Sequence, residues 1–296
     1  MTREPARARR LGRGHPLAAR VRELSSSPEA RAGSGLLVVE GVRLAAEALS
    51  EGARIRDAIV SPRLGQVAGG PAVAARLQAT GAQVWEASDS LLASLHQADS
   101  QQGILMLVEH ASASPEQLTP PAPRRALVLV AIGVQDPGNM GAMVRLADAA
   151  GATGLLAAGG ADPFGPKAVR ASAGSVFRLP VGRVAGQAEA LAFLAAMKQR
   201  GIVVAGAVPR GGCDPRGTEL SMPLALVLGG EGAGLPETVA HALDLKLSIP
   251  MNPRVESINV AAAAAVLLFA AAARPARTPR APDPAPDEEP RRSRPR

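Results

Sequence analysis

Short apolar runs alternate with longer stretches of helical spacing along most of the chain. "LLVV" at 36–39 precedes a helix predicted over 41–51, and "RDAIV" at 56–60 precedes one near 71–80. "AQVWEA" at 82–87 precedes a helix near 89–96, and "GILMLVE" at 103–109 closes a small α/β unit over 33–110. "ASASPEQLTPPAPRR", 111–125, has four prolines and reads as an interdomain linker. Beyond it the alternation resumes. Strands are predicted at 126–132, 154–158, 201–207, 224–230 and 245–249, and helices at 139–150, 166–174, 187–200 and 257–273. Strands that are apolar throughout and separated by helices predict a parallel sheet covered on both faces, here over 126–273. From residue 274 the chain is Pro-rich and charged without apolar periodicity, which predicts a disordered basic tail over 274–296.

Composition adds limits. A length of 296 residues fits about two domains, and 47% hydrophobic residues can fill their cores. The single cysteine, Cys213, excludes an internal disulfide and a cysteine-clustered metal site. His15, His96, His110 and His241 have no ligand-like spacing, so no metal is expected. The longest apolar run, 260–273, is fourteen residues, short of the ~20 that span a bilayer, and no membrane association is expected. No apolar signal segment follows the early arginines, and Glu4 and Glu23 argue against a transit peptide, so a cytoplasmic location is expected.

The net charge of +7 is unevenly placed. Residues 1–31 hold eight Arg and three Glu, residues 274–296 seven Arg and four acids, and the body between is near neutral. Basic ends, including an N-terminal arm over 1–32 expected to be partly ordered, point to a polyanion such as nucleic acid. The competing reading is compositional, since thirty Arg stand against three Lys.

Ligands of a parallel sheet bind where loops leave the carboxyl ends of its strands. Three such loops carry polar residues that a plain turn does not need: "QDPGNMGAMVR" (135–145), "GGEGAGLPE" (229–237) and "SIPMNPRVESINVAAAAAV" (248–266). No G-x-G-x-x-G, G-K-[ST], G-x-S-x-G or H-E-x-x-H occurs. Four Phe, one Trp and no Tyr leave little aromatic surface for stacking single strands.

Together the three loops resemble the motifs of the SpoU (TrmH) RNA 2′-O-ribose methyltransferases of the SPOUT superfamily. "DPGNMGAMVRLADAAGA" is similar to the first motif, "LVLGGEGAGLP" to the second and "LSIPMNPRVESINVAAAAAVLLF" to the third, in the family's order. "LVVEGVRLAAEAL" and "QQGILMLV" resemble its substrate-binding domain, so residues 15–273 are covered. Two departures are small: Ser257-Ile258-Asn259 stands for the usual Ser-Leu-Asn, and Leu146 replaces a common Thr.

The resemblance implies a C-terminal α/β-knot domain with a parallel sheet, preceded by a small α/β substrate-binding domain of ribosomal-protein type. It implies S-adenosylmethionine as cofactor, bound in the knot, with contacts that fall on Gly229, Ile249 and Ile258. It implies a homodimer whose site is completed across the interface. The catalytic candidates it implies are Asn139, Arg145, Glu231, Ser257 and Asn259. Arg145 is the family's candidate base, but a guanidinium stays protonated, so holding a phosphate and stabilising the attacking alkoxide is the sounder role. An ion pair with Asp148 is the bland alternative. Asn139 is expected to cap its helix, Glu231 to pair with an arginine, and Ser257 and Asn259 to start the last helix while facing substrate. The implied activity is 2′-O-methylation of RNA, ribosomal 23S-type RNA and guanosine being favoured. Transfer RNA, a non-catalytic RNA binder and a small-molecule methyltransferase remain as alternatives.

Overall fold

The structure, a computed structural model, describes residues 9–95, 102–119, 125–232 and 234–273. His96, residues 120–124 of the expected linker and the whole expected tail lie outside the described residues.

The first domain runs β1 (Arg9–Arg10), α1 (Pro16–Ser26), α2 (Pro28–Ser34), β2 (Leu36–Glu40), α3 (Val42–Ser50), β3 (Ile55–Val60), α4 (Gly70–Ala79), β4 (Gln83–Glu86), α5 (Asp89–Ala93) and β5 (Ile104–Glu109). Its strands order as β1-β4-β3-β5-β2, with β5 antiparallel to both neighbours and the other pairs parallel. The arm expected over 1–32 needs correcting. Ala18, Val21 and Leu24 of α1 are fully buried against β2 and β5 residues, so from residue 9 the segment belongs to the domain. Pro16 and Pro28 each open a helix at its first turn, where a missing N–H costs nothing.

The expected linker is not a free tether either. Residues 115–118 form a short helix, α6 (Pro115–Leu118), and Leu118 is fully buried. A Cβ on Gly154 would come within 2.8 Å of its side chain, so that glycine makes room for the anchor.

The second domain runs β6 (Leu127–Ile132), α7 (Pro137–Ala149), β7 (Gly154–Ala158), α8 (Pro166–Ala171), β8 (Val181–Val184), α9 (Gln187–Gln199), β9 (Val203–Ala207), β10 (Leu224–Gly229), α10 (Glu237–His241), β11 (Leu245–Leu247) and α11 (Val260–Ala272). All six strands are parallel, ordered β11-β9-β10-β6-β7-β8. Strand β8 and helix α10 are additions to the expected set; at four and five residues each is too short for periodicity to reveal. Along β6, Leu127, Leu129 and Ala131 face a core shared with α7, α8 and α11, while Val128, Val130 and Ile132 face α9 and α10. This period-2 split explains why the strand is apolar at every position.

The first of these cores continues into the first domain through Leu37, Val39, Met106 and Val108. Ion pairs cross the same seam. Arg31 meets Asp162 at 2.7 Å with both side chains under one-tenth exposed, Arg170 meets the buried Glu40 at 2.8 Å, and Arg178 meets Glu47 at 3.0 Å. Removing one member of a buried pair strands the other charge, at a cost of about 3–5 kcal/mol, so the domains are held in one orientation.

Candidate active site

The loops after β6, β10 and β11 converge at the carboxyl edge of the sheet. Asp136 caps α7: its Oδ1 accepts from the Asn139 N–H at 2.9 Å, and its Oδ2 accepts from Lys167 Nζ at 2.8 Å. The bond from Lys167, then the one from Asn139, hold the Asp136 carboxyl below its ordinary pKa. The cap is thus Asp136, not Asn139. Asn139 sits one turn in and turns its side chain to the site: its Nδ2 donates to Glu231 Oε1 at 2.5 Å, and its Oδ1 accepts from Asn259 Nδ2 at 2.9 Å. Asn259 in turn caps α11, its Oδ1 accepting from the N–H groups of Ala261 and Ala262. That helix starts at Val260, not at Ser257.

Glu231 was expected to meet an arginine; its carboxylate instead takes the Asn139 amide and the Gln135 N–H, at 2.5 and 3.3 Å. Partial burial pulls its pKa up, but these bonds outweigh burial and leave it below the ordinary value. A carboxylate so held stays ionised and serves to orient Asn139.

Beside this triad lies a pocket of about 330 Å³, lined by Gly229, Glu231, Ile249, Ser257, Ile258 and Asn259 among others. Six of the eight expected site residues therefore share one cavity, and Asn139 joins it through Glu231 and Asn259. Leu247, Met251 and Ala263 complete apolar walls that the sequence did not single out. Apolar walls over a glycine backbone fit the planar adenine of S-adenosylmethionine, whose charged amino-acid end needs polar partners.

Gly229 lines the pocket and has a second role. A Cβ there would lie 2.1 Å from the carbonyl carbon of Gly234, so the missing side chain makes room for the loop's own backbone. Gly230 does the same toward the Gly133 carbonyl oxygen, at 2.2 Å. These two glycines clamp the first and second motif loops together.

Arg145 stands apart. It is exposed on α7, lines no part of this pocket, and makes no ion pair among the described residues. Its bland alternative also fails, because Asp148 pairs with Arg178 at 3.0 Å. Asp136, Gln135 and Lys167 were not among the sequence candidates; Asp before Pro-Gly was a readable cap signal, whereas nothing local marks Lys167.

The pattern of the SpoU rRNA Methylase family matches residues 126–269, and that of the MRM3-like substrate binding domain matches 19–106. The 23S rRNA (guanosine(2553)-2′-O)-methyltransferase of Bacillus subtilis is 31% identical over 240 residues, covering 81% of this chain and 89% of that protein. The chain belongs to the SpoU rRNA methylase family. Within it, the 23S rRNA (uridine(2479)-2′-O)-methyltransferase of Streptomyces viridochromogenes is 41% identical over 138 residues, 46% of this chain and 48% of that enzyme, so the match spans about half of that relative. The crystal structure of the SpoU methyltransferase AviRb from the same organism, in complex with AdoMet, aligns with a TM-score of 0.78 at 29% identity. It covers 88% of this chain and 97% of that one. An AdoMet-bound rRNA methyltransferase from Sinorhizobium meliloti aligns at 0.72 and 30% identity, covering 86% and 94%. The α/β architecture with its N-terminal substrate-binding domain is thus the SpoU arrangement. Among the described residues no helix is long and apolar enough to cross a membrane, and no group of three His, Cys, Asp or Glu could hold a metal.

Proposed function

We propose that the protein transfers a methyl group from S-adenosylmethionine to a ribose 2′-hydroxyl of ribosomal RNA in the cytoplasm. The observation that carries this is the Asn139–Glu231–Asn259 triad set at the mouth of the apolar pocket. S-adenosylmethionine, when bound, supplies an electrophilic methyl on its sulfonium. Gly229, Ile249 and Ile258 would hold it, the two isoleucines offering apolar surface to its adenine and the main chain its polar groups. Asn139, fixed by Glu231 and by Asn259, orients the ribose, and Ser257 faces the same space. Glu231 is committed to two hydrogen bonds, so it positions rather than removes the hydroxyl proton. That proton goes to water or a neighbouring phosphate.

Arg145 reaches a site by dimerisation: the arginine of one protomer meets the pocket of the other. Support comes from α11, which packs against α7. Val255, Ile258, Val266 and Phe269 are the large exposed hydrophobics among the described residues, and Val266 and Phe269, three residues apart, share one face of α11. Such a patch is what a buried homodimer contact requires. Arg145 then clamps the phosphate beside the target and stabilises the alkoxide as it forms. We further propose that the chain after β10 is threaded as a trefoil knot. The loops following β10 and β11 line one pocket while β10 lies inside the sheet between β9 and β6.

Guanosine is the favoured acceptor, because a relative aligned over both domains is named for guanosine. Mapping 2′-O-methyl sites in total RNA from cells with and without the gene tests the reading. One ribosomal position should lose its methyl group. Loss at a transfer RNA position, or no loss from RNA that the purified protein also fails to methylate, refutes it.

A further inference from the structure

Arg178, in the turn before β8, meets three carboxylates at once. Its Nε and Nη2 lie 3.1 and 3.0 Å from Asp148 Oδ2 on α7. Its Nη1 lies 3.0 Å from Glu47 Oε2 on α3 and 3.4 Å from Glu51 Oε1 just after that helix. Nη2 also donates to Ser175 Oγ at 3.3 Å. The turn is shaped for this approach. Ala173 has a φ of 50°, and a Cβ on Gly174 would lie 2.8 Å from Glu47 Cβ. One guanidinium thus ties α7 of the second domain to α3 of the first.

Arg145 and Asp148 are three residues apart on α7, so their side chains are neighbours on one face. Arg145 is the only basic residue of that helix, and it is exposed and unpaired among the described residues. Asp148 has Arg178 as its side-chain partner, and two N–H groups on one oxygen hold its carboxylate turned to the seam between the domains. Removing Arg178 would release that carboxylate and raise the net negative charge of the cluster from two to three. The one basic side chain on α7 able to answer it is Arg145, folded back onto its own helix.

We propose that Arg178 is a positioning residue for methyl transfer: by holding Asp148 against the first domain, it keeps Arg145 extended and available to the RNA phosphate. The proposal rests on the reading of Arg145 as the clamp on that phosphate. Glu47 and Glu51 hold Arg178 from the far side, so one side chain links the docking of the first domain to the freedom of the arginine. An exposed ion pair three residues apart on a helix shifts an equilibrium by a factor of about one and a half to five. The two further carboxylates left without a cation add to the pull. Loss of Arg178 should therefore lower kcat/KM for RNA about three- to tenfold, well short of the loss on removing Arg145 itself.

The test compares full-length variants in methyl transfer from labelled S-adenosylmethionine to total RNA taken from cells lacking the gene. Arg178→Met should lower kcat/KM for RNA by the factor above and leave cofactor affinity within about twofold of wild type. Adding Asp148→Asn removes the competing carboxylate and should bring the rate back to within about twofold of wild type. Adding Glu47→Gln instead relieves repulsion in the same cluster, so it should recover Tm without recovering the rate. In protein with nitrogen-labelled arginine, the Arg145 Nε signal, assigned through Arg145→Ala, should move in Arg178→Met and return in the variant that also carries Asp148→Asn. With Arg145→Ala inactive, three results overturn the proposal alone and reduce Arg178 to a contact of the seam: full rate in Arg178→Met, equal rescue by the two second substitutions, or an Arg145 signal that does not move. Full rate in Arg145→Ala sinks the reading of Arg145 as the clamp, and the proposal with it, even where the Nε signal moves as described.

Discussion

Replacing Gly229 by alanine should collapse the cofactor pocket from behind rather than fill it. The added Cβ would lie 2.1 Å from both carbonyl atoms of Gly234 and 2.5 Å from the Leu235 nitrogen. Ordinary contact begins at 3.4 Å, so the loop must retreat by about 1.3 Å. All three atoms belong to the main chain, and no rotamer change relieves the clash. Overpacking of this kind costs about 1–3 kcal/mol, and the rigidity of the neighbour puts Gly229 at the upper end. At 2–4 °C per kcal/mol for a chain of this size, Tm should fall by roughly 5–10 °C. Gly232→Ala is the control on the same loop. Its φ of +82° disfavours a side chain, but nothing lies within 4 Å of the new Cβ. It should cost about 1–2 kcal/mol, or roughly 2–8 °C. The assay is thermal unfolding with and without S-adenosylmethionine. At a hundred times Kd the ligand adds about 2.7 kcal/mol to the wild type. Gly232→Ala should keep most of that gain and Gly229→Ala should lose it, since the displaced Gly234 lines the pocket. Equal Tm and equal ligand response in the two variants would refute the loop-clamp account.

Arg145→Ala should leave stability within about 0.5 kcal/mol, since the side chain is exposed and unpaired among the described residues, while methyl transfer drops roughly 10²–10⁴-fold with cofactor affinity kept; Arg145→Lys should recover little, and near-full activity in it would reduce the residue to a bare positive charge. Asn139→Asp places a second carboxylate 2.5 Å from Glu231, so activity measured across pH should fall most at neutral pH, and a flat unimpaired profile would remove Asn139 from the site. His110 has a folded pKa of about 4 against 6.5 unfolded, so the unfolded chain binds the extra proton. The associated stability is complete above pH 6.5 and is lost as pH falls toward 4, up to about 3 kcal/mol, and His110→Phe should flatten that part of a denaturation-versus-pH curve. Phe269→Glu on the exposed face of α11 should turn dimers into monomers by light scattering without lowering helix content, and unchanged mass would move the interface elsewhere.

Local sequence carries whatever is decided over a few residues. The alternation of apolar runs and helical spacing was enough for the parallel sheet, because each strand's pattern records burial on both faces. The glycine-rich and polar loops marked the carboxyl edge, and six of the eight expected residues do line one pocket. The helices α1 and α2 were missed because arginines punctuate a spacing of Ala18, Val21 and Leu24 that is otherwise helical. The linker looked free because prolines say nothing of where Leu118 will insert. What only the tertiary structure decided lies between residues far apart in the chain. Asn139 meets Glu231 across 92 positions and Asn259 across 120, and Arg31 meets Asp162 across 131. No periodicity encodes such pairs; they exist because β6, β7 and β10 bring their loops to one edge of a single sheet and the first domain is packed against it. The same physics gave Gly229 a second role as backbone clamp. The residue type showed that something comes close, and only the packing showed that the chain itself does so.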